Sequence, residues 1–190
     1  MIRILIIIFL TGNFLFATII NVPDDYSTIQ GGIDAASDGD TVLVQAGTYQ
    51  EANLQVVNKG IYIISATGSD NCIIDATMSG RLISINNTVG GHFKMNGFTM
   101  TGGYLVGYRI LSVESGIATF ENMEFSNNGG ISNSNLFGGS GIDQTFFIDC
   151  VFKNNVATNY VGVLWSTAIR CLFYDNHGGN NPSPLYESKA

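Results

Sequence analysis

Three stretches decide the fold: FENMEFSNNGG (residues 120–130), FFIDCVFKNNVA (146–157) and IRCLFYDNHGG (169–179). Each runs apolar, polar, apolar and closes on asparagine. Aligned by their central residues, Met95, Phe98 and Met100 match Phe120, Met123 and Phe125, then Phe147, Cys150 and Phe152, then Ala168, Cys171 and Phe173. The last members of these sets lie 25, 27 and 21 residues apart. A period in this range is the signature of a solenoid, in which one coil cannot bury its apolar face alone and does so by stacking on its neighbours. The second and third members of each set are two apart, which puts both on one face of a strand and lines the interior with Phe, Met and Cys.

Three residues beyond each set stand Gly103, Asn128, Asn155 and Asn176. Asn tolerates left-handed backbone, and stacked Asn side chains hydrogen-bond from one coil to the next. The repeated asparagine therefore reads as the turn at one corner of every coil, with a binding role as the alternative. Cys150 and Cys171 fall at equivalent inward positions on successive coils, about 4.8 Å apart. Their reading is buried free thiols that fill space, with a disulfide as the alternative. Cys72 has no partner in the alignment, and three cysteines without CxxC spacing support neither a disulfide framework nor a zinc site.

Composition agrees with a turn-rich β fold. The 190 residues include 23 Gly, and 12% are charged, too few for a disordered chain with this apolar content. Residues 1–17, MIRILIIIFLTGNFLFA, carry one charge at Arg3, then an apolar run ending in small-residue spacing at Ala17. That pattern reads as a secretory signal peptide, so a secreted or cell-surface location is expected, with no stable membrane insertion once it is removed. An uncleaved anchor is the alternative, although the run is short for a bilayer. Cleavage leaves a net charge of about −8, and no Lys/Arg cluster offers a nucleic-acid footprint.

Shorter apolar runs precede the repeats: TVLVQAGTY (41–49), GIYIISATG (60–68), CIIDA (72–76) and RLISI (81–85). Before them stands one helix candidate. Ser27 and Gln30 have the spacing of a capping box, and Ile29, Ile33 and Ala36 share a face. A short amphipathic helix there covers the open apolar end of the stack. The expected organisation is a signal peptide (1–17), a cap (18–40), β-helix coils (41–178) and a polar tail (179–190).

IINVPDDYSTIQGGIDAASDGDTVLVQAGTYQE (19–51) resembles the opening of right-handed parallel β-helix proteins of the pectin-lyase-like superfamily. The resemblance rests on the STIQ…IDAA helix, the GDTVLV strand and the AGTY.E turn. NCIIDA, MNGFTMTGG and FENMEFSNN are similar to the coil phrases that follow in that group. It implies an all-β, right-handed parallel β-helix. It implies little about chemistry, because the fold carries lyases, hydrolases, esterases, epimerases, adhesins and surface proteins. The paired glutamines and aspartates of pectin methylesterases have no matching context here. Polygalacturonase-type hydrolases need clustered aspartates and Gly-His-Gly, against which this chain offers only DNHGG, with Asp175 before His177.

In this superfamily chemistry sits on the outer faces. One outward column reads Gly97, Asn122, Asp149, Arg170. Asp149 and Arg170 are similar to the pectate-lyase arrangement, in which acids hold Ca²⁺ and an arginine abstracts a proton; a surface ion pair is the plainer reading. Ca²⁺ takes about six to eight oxygen ligands, and Asn122 with Glu124 adds few, so Ca²⁺ is expected only if the chain is a lyase. No other metal or cofactor is expected. His92 and His177 stand beside no nucleophile. Tyr104, Tyr160, Trp165 and Tyr174 are candidates for a sugar-stacking surface, with ordinary packing as the alternative. Residues 102–109 and 129–143 differ between coils and are where recognition is expected. NNT from Asn86 is a glycosylation pattern.

The expected function is a secreted or cell-surface module that binds a polysaccharide or cell-surface glycan, or presents a repetitive surface, without catalysis. The alternatives are a lyase or hydrolase on uronate polysaccharides and the N-terminal part of a larger surface protein. Oligomeric state is not readable.

Overall fold

A computed structural model describes residues 17–87, 91–131, 136–139, 144–158, 161–179 and 185–186. The signal-peptide reading of residues 1–16, Tyr160 and most of the polar tail lie outside them. Every strand pairing is parallel, and the chain winds through about six coils as a parallel β-helix.

Four sheets run along the column. Sheet A contains Ile19–Val22, Thr41–Val44, Tyr62–Ser65, Phe93–Asn96, Ala118–Glu121, Thr145–Ile148 and Thr167–Ile169. Sheet B contains Gly47–Tyr49, Cys72–Asp75, Thr99–Thr101, Glu124–Ser126, Val151–Lys153 and Leu172–Tyr174. Sheet C contains Leu54–Val57, Ile83–Asn86, Leu111–Ser115, Phe137–Gly139, Val163–Leu164 and Leu185–Tyr186. Sheet D joins only from the third coil, with Tyr104–Val106, Gly129–Ile131, Val156–Ala157 and His177–Gly178.

The expected alignment holds residue for residue. Met95 pairs with Phe120, Phe120 with Phe147 and Phe147 with Ala168 in sheet A; Met100, Phe125, Phe152 and Phe173 do the same in sheet B. Flat rings stack at the coil spacing: Phe125 on Phe152 at 4.9 Å and Phe152 on Phe173 at 4.7 Å between centroids. Within a coil the rings meet edge to face, as Phe147 meets Phe152 at 5.3 Å and 78°. Both geometries suit the ring quadrupole, so the rings of successive coils pack into one column.

Two details of the sequence reading need correction. Met123, Cys150 and Cys171 point inward, but not from the same strand as the residue two further on. Each of them, like Phe98, follows a left-handed corner, formed by Gly97, Asn122, Asp149 or Arg170 (φ between 51° and 80°), and precedes the sheet B strand. The second correction concerns the asparagines. The left-handed residues at the next corner are Gly102, Asn127, Asn154 and Asp175, one position before the ladder. Turning and bonding are thus divided between neighbours. Asn128, Asn155 and Asn176 turn inward, and each side-chain oxygen accepts the backbone N–H of the residue one coil below, at 2.8–3.0 Å. Each side-chain N–H₂ donates to a carbonyl of the same lower coil: Met100, Phe125 and Phe152.

The helix Ile29–Ala35 closes the N-terminal end, with Ile29, Ile33 and Ala36 buried in the core as expected. Its N-cap is Thr28, not Ser27: the Thr28 hydroxyl accepts the Gly31 N–H at 3.0 Å. Gln30 closes no capping box; its amide pairs with both backbone groups of Gln55 and shields the edge strand of sheet C. The box partner's task falls to Glu51, whose carboxylate accepts the N–H groups of Ile29 and Gln30 at 2.7 and 3.0 Å. At the other end the Lys59 ammonium donates to the carbonyls of Ile33 and Asp34. An anion at the start and a cation at the end complement the helix dipole. Gly32 makes this packing close, because a Cβ there would meet Val42 at 2.9 Å and Val22 at 3.0 Å.

Candidate functional site

Inward positions are spent on packing, so recognition belongs to the outer faces. Register dictates what each face displays. On sheet A one outer column reads Tyr62, Lys94, Thr119, Phe146, Thr167, and the next reads Ile64, Asn96, Glu121, Ile148, Ile169. A shallow cleft of about 700 Å³ lies across both columns. Tyr62 and Phe146 stand three strand steps apart, roughly 14 Å, with polar side chains between them.

The polar band is internally satisfied. The Lys94 ammonium meets a Glu121 oxygen at 2.7 Å, and Asn96 donates to the same oxygen at 3.2 Å. His92 Nε2 lies 2.7 Å from the Thr119 hydroxyl. Burial first, and then the Lys94 charge, lower the His92 pKa, so the ring is neutral at neutral pH. The cleft is therefore electrically balanced, with flat apolar surfaces at both ends and hydrogen-bonding groups in the middle. Among the described residues Glu121 is the one carboxylate that lines it.

The residues expected at a site do not converge. Asp149 and Arg170 occupy consecutive left-handed corners between sheets A and B. Arg170 Nε and Nη2 each donate to one Asp149 oxygen at 2.6 Å, so the pair is bidentate and solvent-exposed. The hydrogen bond from Arg170 lowers the Asp149 pKa, and Asp149 raises that of Arg170, which ties the guanidinium proton more firmly. Tyr104 lies on sheet D, its ring beside Gly129, in a groove of about 560 Å³ with Met78, Asn127, Asn154 and Val156. Tyr174 is on sheet B beside Lys153, and Trp165 at the corner leaving sheet C. Tyr160 lies outside the described residues. His177 is exposed on sheet D, its Nδ1 3.1 Å from the Asp175 carbonyl oxygen. Among the described residues no three His, Cys, Asp or Glu side chains converge to hold a metal ion.

Chemical reactivity concentrates at the stacked thiols. Cys72, Cys150 and Cys171 are free. Burial pushes the Cys72 and Cys150 thiols up, whereas the neighbouring Cys150 thiol brings that of the half-exposed Cys171 down to about 7. Only the thiolate is nucleophilic. Iodoacetamide is accordingly expected to modify Cys171 first, with a rate that is low below pH 7 and rises through it, while Cys72 and Cys150 stay unmodified in the folded protein. Peptide mass mapping across pH checks this, and equal labelling of Cys150 contradicts it.

Tyr62 and Phe146 carried no signal in the sequence, since they come from different coils and stand in line only once the register is known. Neither a family model nor a curated protein matches the chain in sequence.

Proposed function

We propose that the protein is a secreted or cell-surface β-helix module of the pectin-lyase-like kind, right-handed in its winding, that binds a neutral glycan in the sheet A cleft without transforming it. The observation that carries this is the pairing of Tyr62 and Phe146 across a charge-balanced polar band. Sugar rings have apolar faces and a polar rim. Aromatic surfaces suit the faces, and Asn96, Thr119 and His92 suit the hydroxyl groups. Because the Lys94 charge is cancelled by Glu121, the described residues of the cleft offer no free cation to favour a uronate. The reading as a uronate lyase has less support, since Asp149 and Arg170 spend their charges on each other.

Affinity electrophoresis in gels containing neutral polysaccharides tests the proposal, with uronate gels as comparison. Retardation is expected in at least one neutral gel. Tyr62→Ala removes an exposed aromatic and Phe146→Ala a half-buried one, each a loss of at least about 1 kcal/mol for an anchoring contact, or about 5-fold in Kd. Unretarded migration in every neutral gel, or retardation unchanged by both substitutions, overturns it.

A further inference from the structure

Six lysines and arginines fall among the described residues, and five have an acceptor. Lys59 donates to two helix carbonyls, Arg81 pairs with Glu114, Lys94 with Glu121, Lys153 with Glu124 and Arg170 with Asp149. Arg109 is the exception. It makes no hydrogen bond or ion pair among the described residues, and its Nε is buried without a partner. In a chain of net charge −7, a cation paired with no carboxylate among the described residues is an anomaly.

Its surroundings compound the anomaly. The Leu82 N–H donates to the Ile110 carbonyl and the Asn53 N–H to the Arg81 carbonyl, so Arg81 and Arg109 occupy the same corner on adjacent coils, where the chain enters sheet C. Like charges are thus stacked. Arg81 Nη1 is already committed to the Ser112 hydroxyl at 3.0 Å and to Glu114 at 3.3 Å. Burial, and then the Arg81 charge, lower the Arg109 pKa. The guanidinium carbon lies 5.9 Å from the centre of the Trp165 ring, whose face attracts a cation but leaves the donors unfilled. Arg109 is half-buried, with its Nε shut away from water without an acceptor, which is unfavourable, and a planar fork of N–H donors is shaped for two oxygens of an anion.

We propose that Arg109, with Arg81 behind it and Trp165 alongside, is an oxyanion-binding site, taking the carboxylate or sulfate group of a ligand. The site lies at the entry to sheet C, apart from the sheet A cleft, and does not depend on the glycan reading of that cleft. Arg109 supplies the donors, Arg81 adds positive potential, and the indole fixes the plane in which the anion lies.

Trp165 is the single tryptophan of the chain, so its fluorescence reports on this site alone. The experiment titrates the protein with sodium sulfate and, separately, sodium acetate, with sodium chloride holding ionic strength near 0.1 M, where charges are screened beyond about 10 Å. A saturable change in Trp165 emission is expected with at least one of the two, and the better binder distinguishes a tetrahedral from a planar group. Arg109→Gln is expected to weaken it at least 10-fold. Arg109→Lys, a point charge without the fork, should fall between. Arg170→Gln should leave the titration unchanged. Flat wild-type titrations with both anions overturn the proposal, as does an undiminished response in Arg109→Gln whose far-ultraviolet circular dichroism matches wild type.

Discussion

Asn155→Ala is expected to cost about 2–6 kcal/mol of stability, far more than a surface substitution. The side-chain oxygen of Asn155 accepts the Asn128 N–H at 3.0 Å, and its N–H₂ group donates to the Phe125 carbonyl at 2.9 Å. Asn155 is wholly buried, and Asn128 nearly so. Alanine leaves that N–H and that carbonyl without partners and away from water, at about 1–3 kcal/mol each. The neighbouring residue provides the contrast. Asn154 is exposed and left-handed (φ 53°), a conformation glycine adopts freely, so Asn154→Gly should change stability by less than about 1 kcal/mol. Urea unfolding of both variants measures the difference. Equal losses would mean that the ladder is no more than a turn.

Phe125→Ala is the second large effect, about 3–5 kcal/mol for a buried phenylalanine. Its ring is stacked on Phe152 at 4.9 Å and meets Phe120, Phe137 and Phe147 within about 6 Å, so the cavity would open to two coils. Solenoid stability is a sum of coil and interface contributions. A void in the middle of the column weakens one interface selectively. Calorimetry is therefore expected to resolve two transitions in Phe125→Ala, and one in Phe125→Leu, which refills most of the volume. A single transition shifted by less than about 1 kcal/mol would show that the surrounding rings collapse into the space.

What the sequence disclosed follows from what repeats. Inward residues recur because each coil faces the same dry interior, so Met95, Phe120, Phe147 and Ala168 could be stacked by inspection, and the asparagines with them. Left-handed corners were harder to read. Asn122, Asp149 and Arg170 differ in chemistry, and only their shared backbone conformation relates them, so they looked like an outer strand column. The cap was half legible: its apolar face follows helical spacing, but Glu51 and Lys59 reach it from more than 20 residues away. The sheet A cleft was hidden for a geometric reason. Its aromatics align only after three irregular coil lengths are added, and the coils before Met95 carry no repeated phrase to anchor the count.

The two kinds of corner have a consequence for how such a chain tolerates change. In the last four coils two residues always join sheet A to sheet B, and two always join sheet B to sheet D, each pair opening on a left-handed residue. All variation in coil length falls on either side of sheet C, between residues 106 and 111 or 115 and 118 in one coil and their counterparts in the others. The protein is in effect a ratchet on one flank and an open hem on the other. New loops can be sewn into the hem without disturbing the pitch, and Arg109 and Trp165 both lie along it.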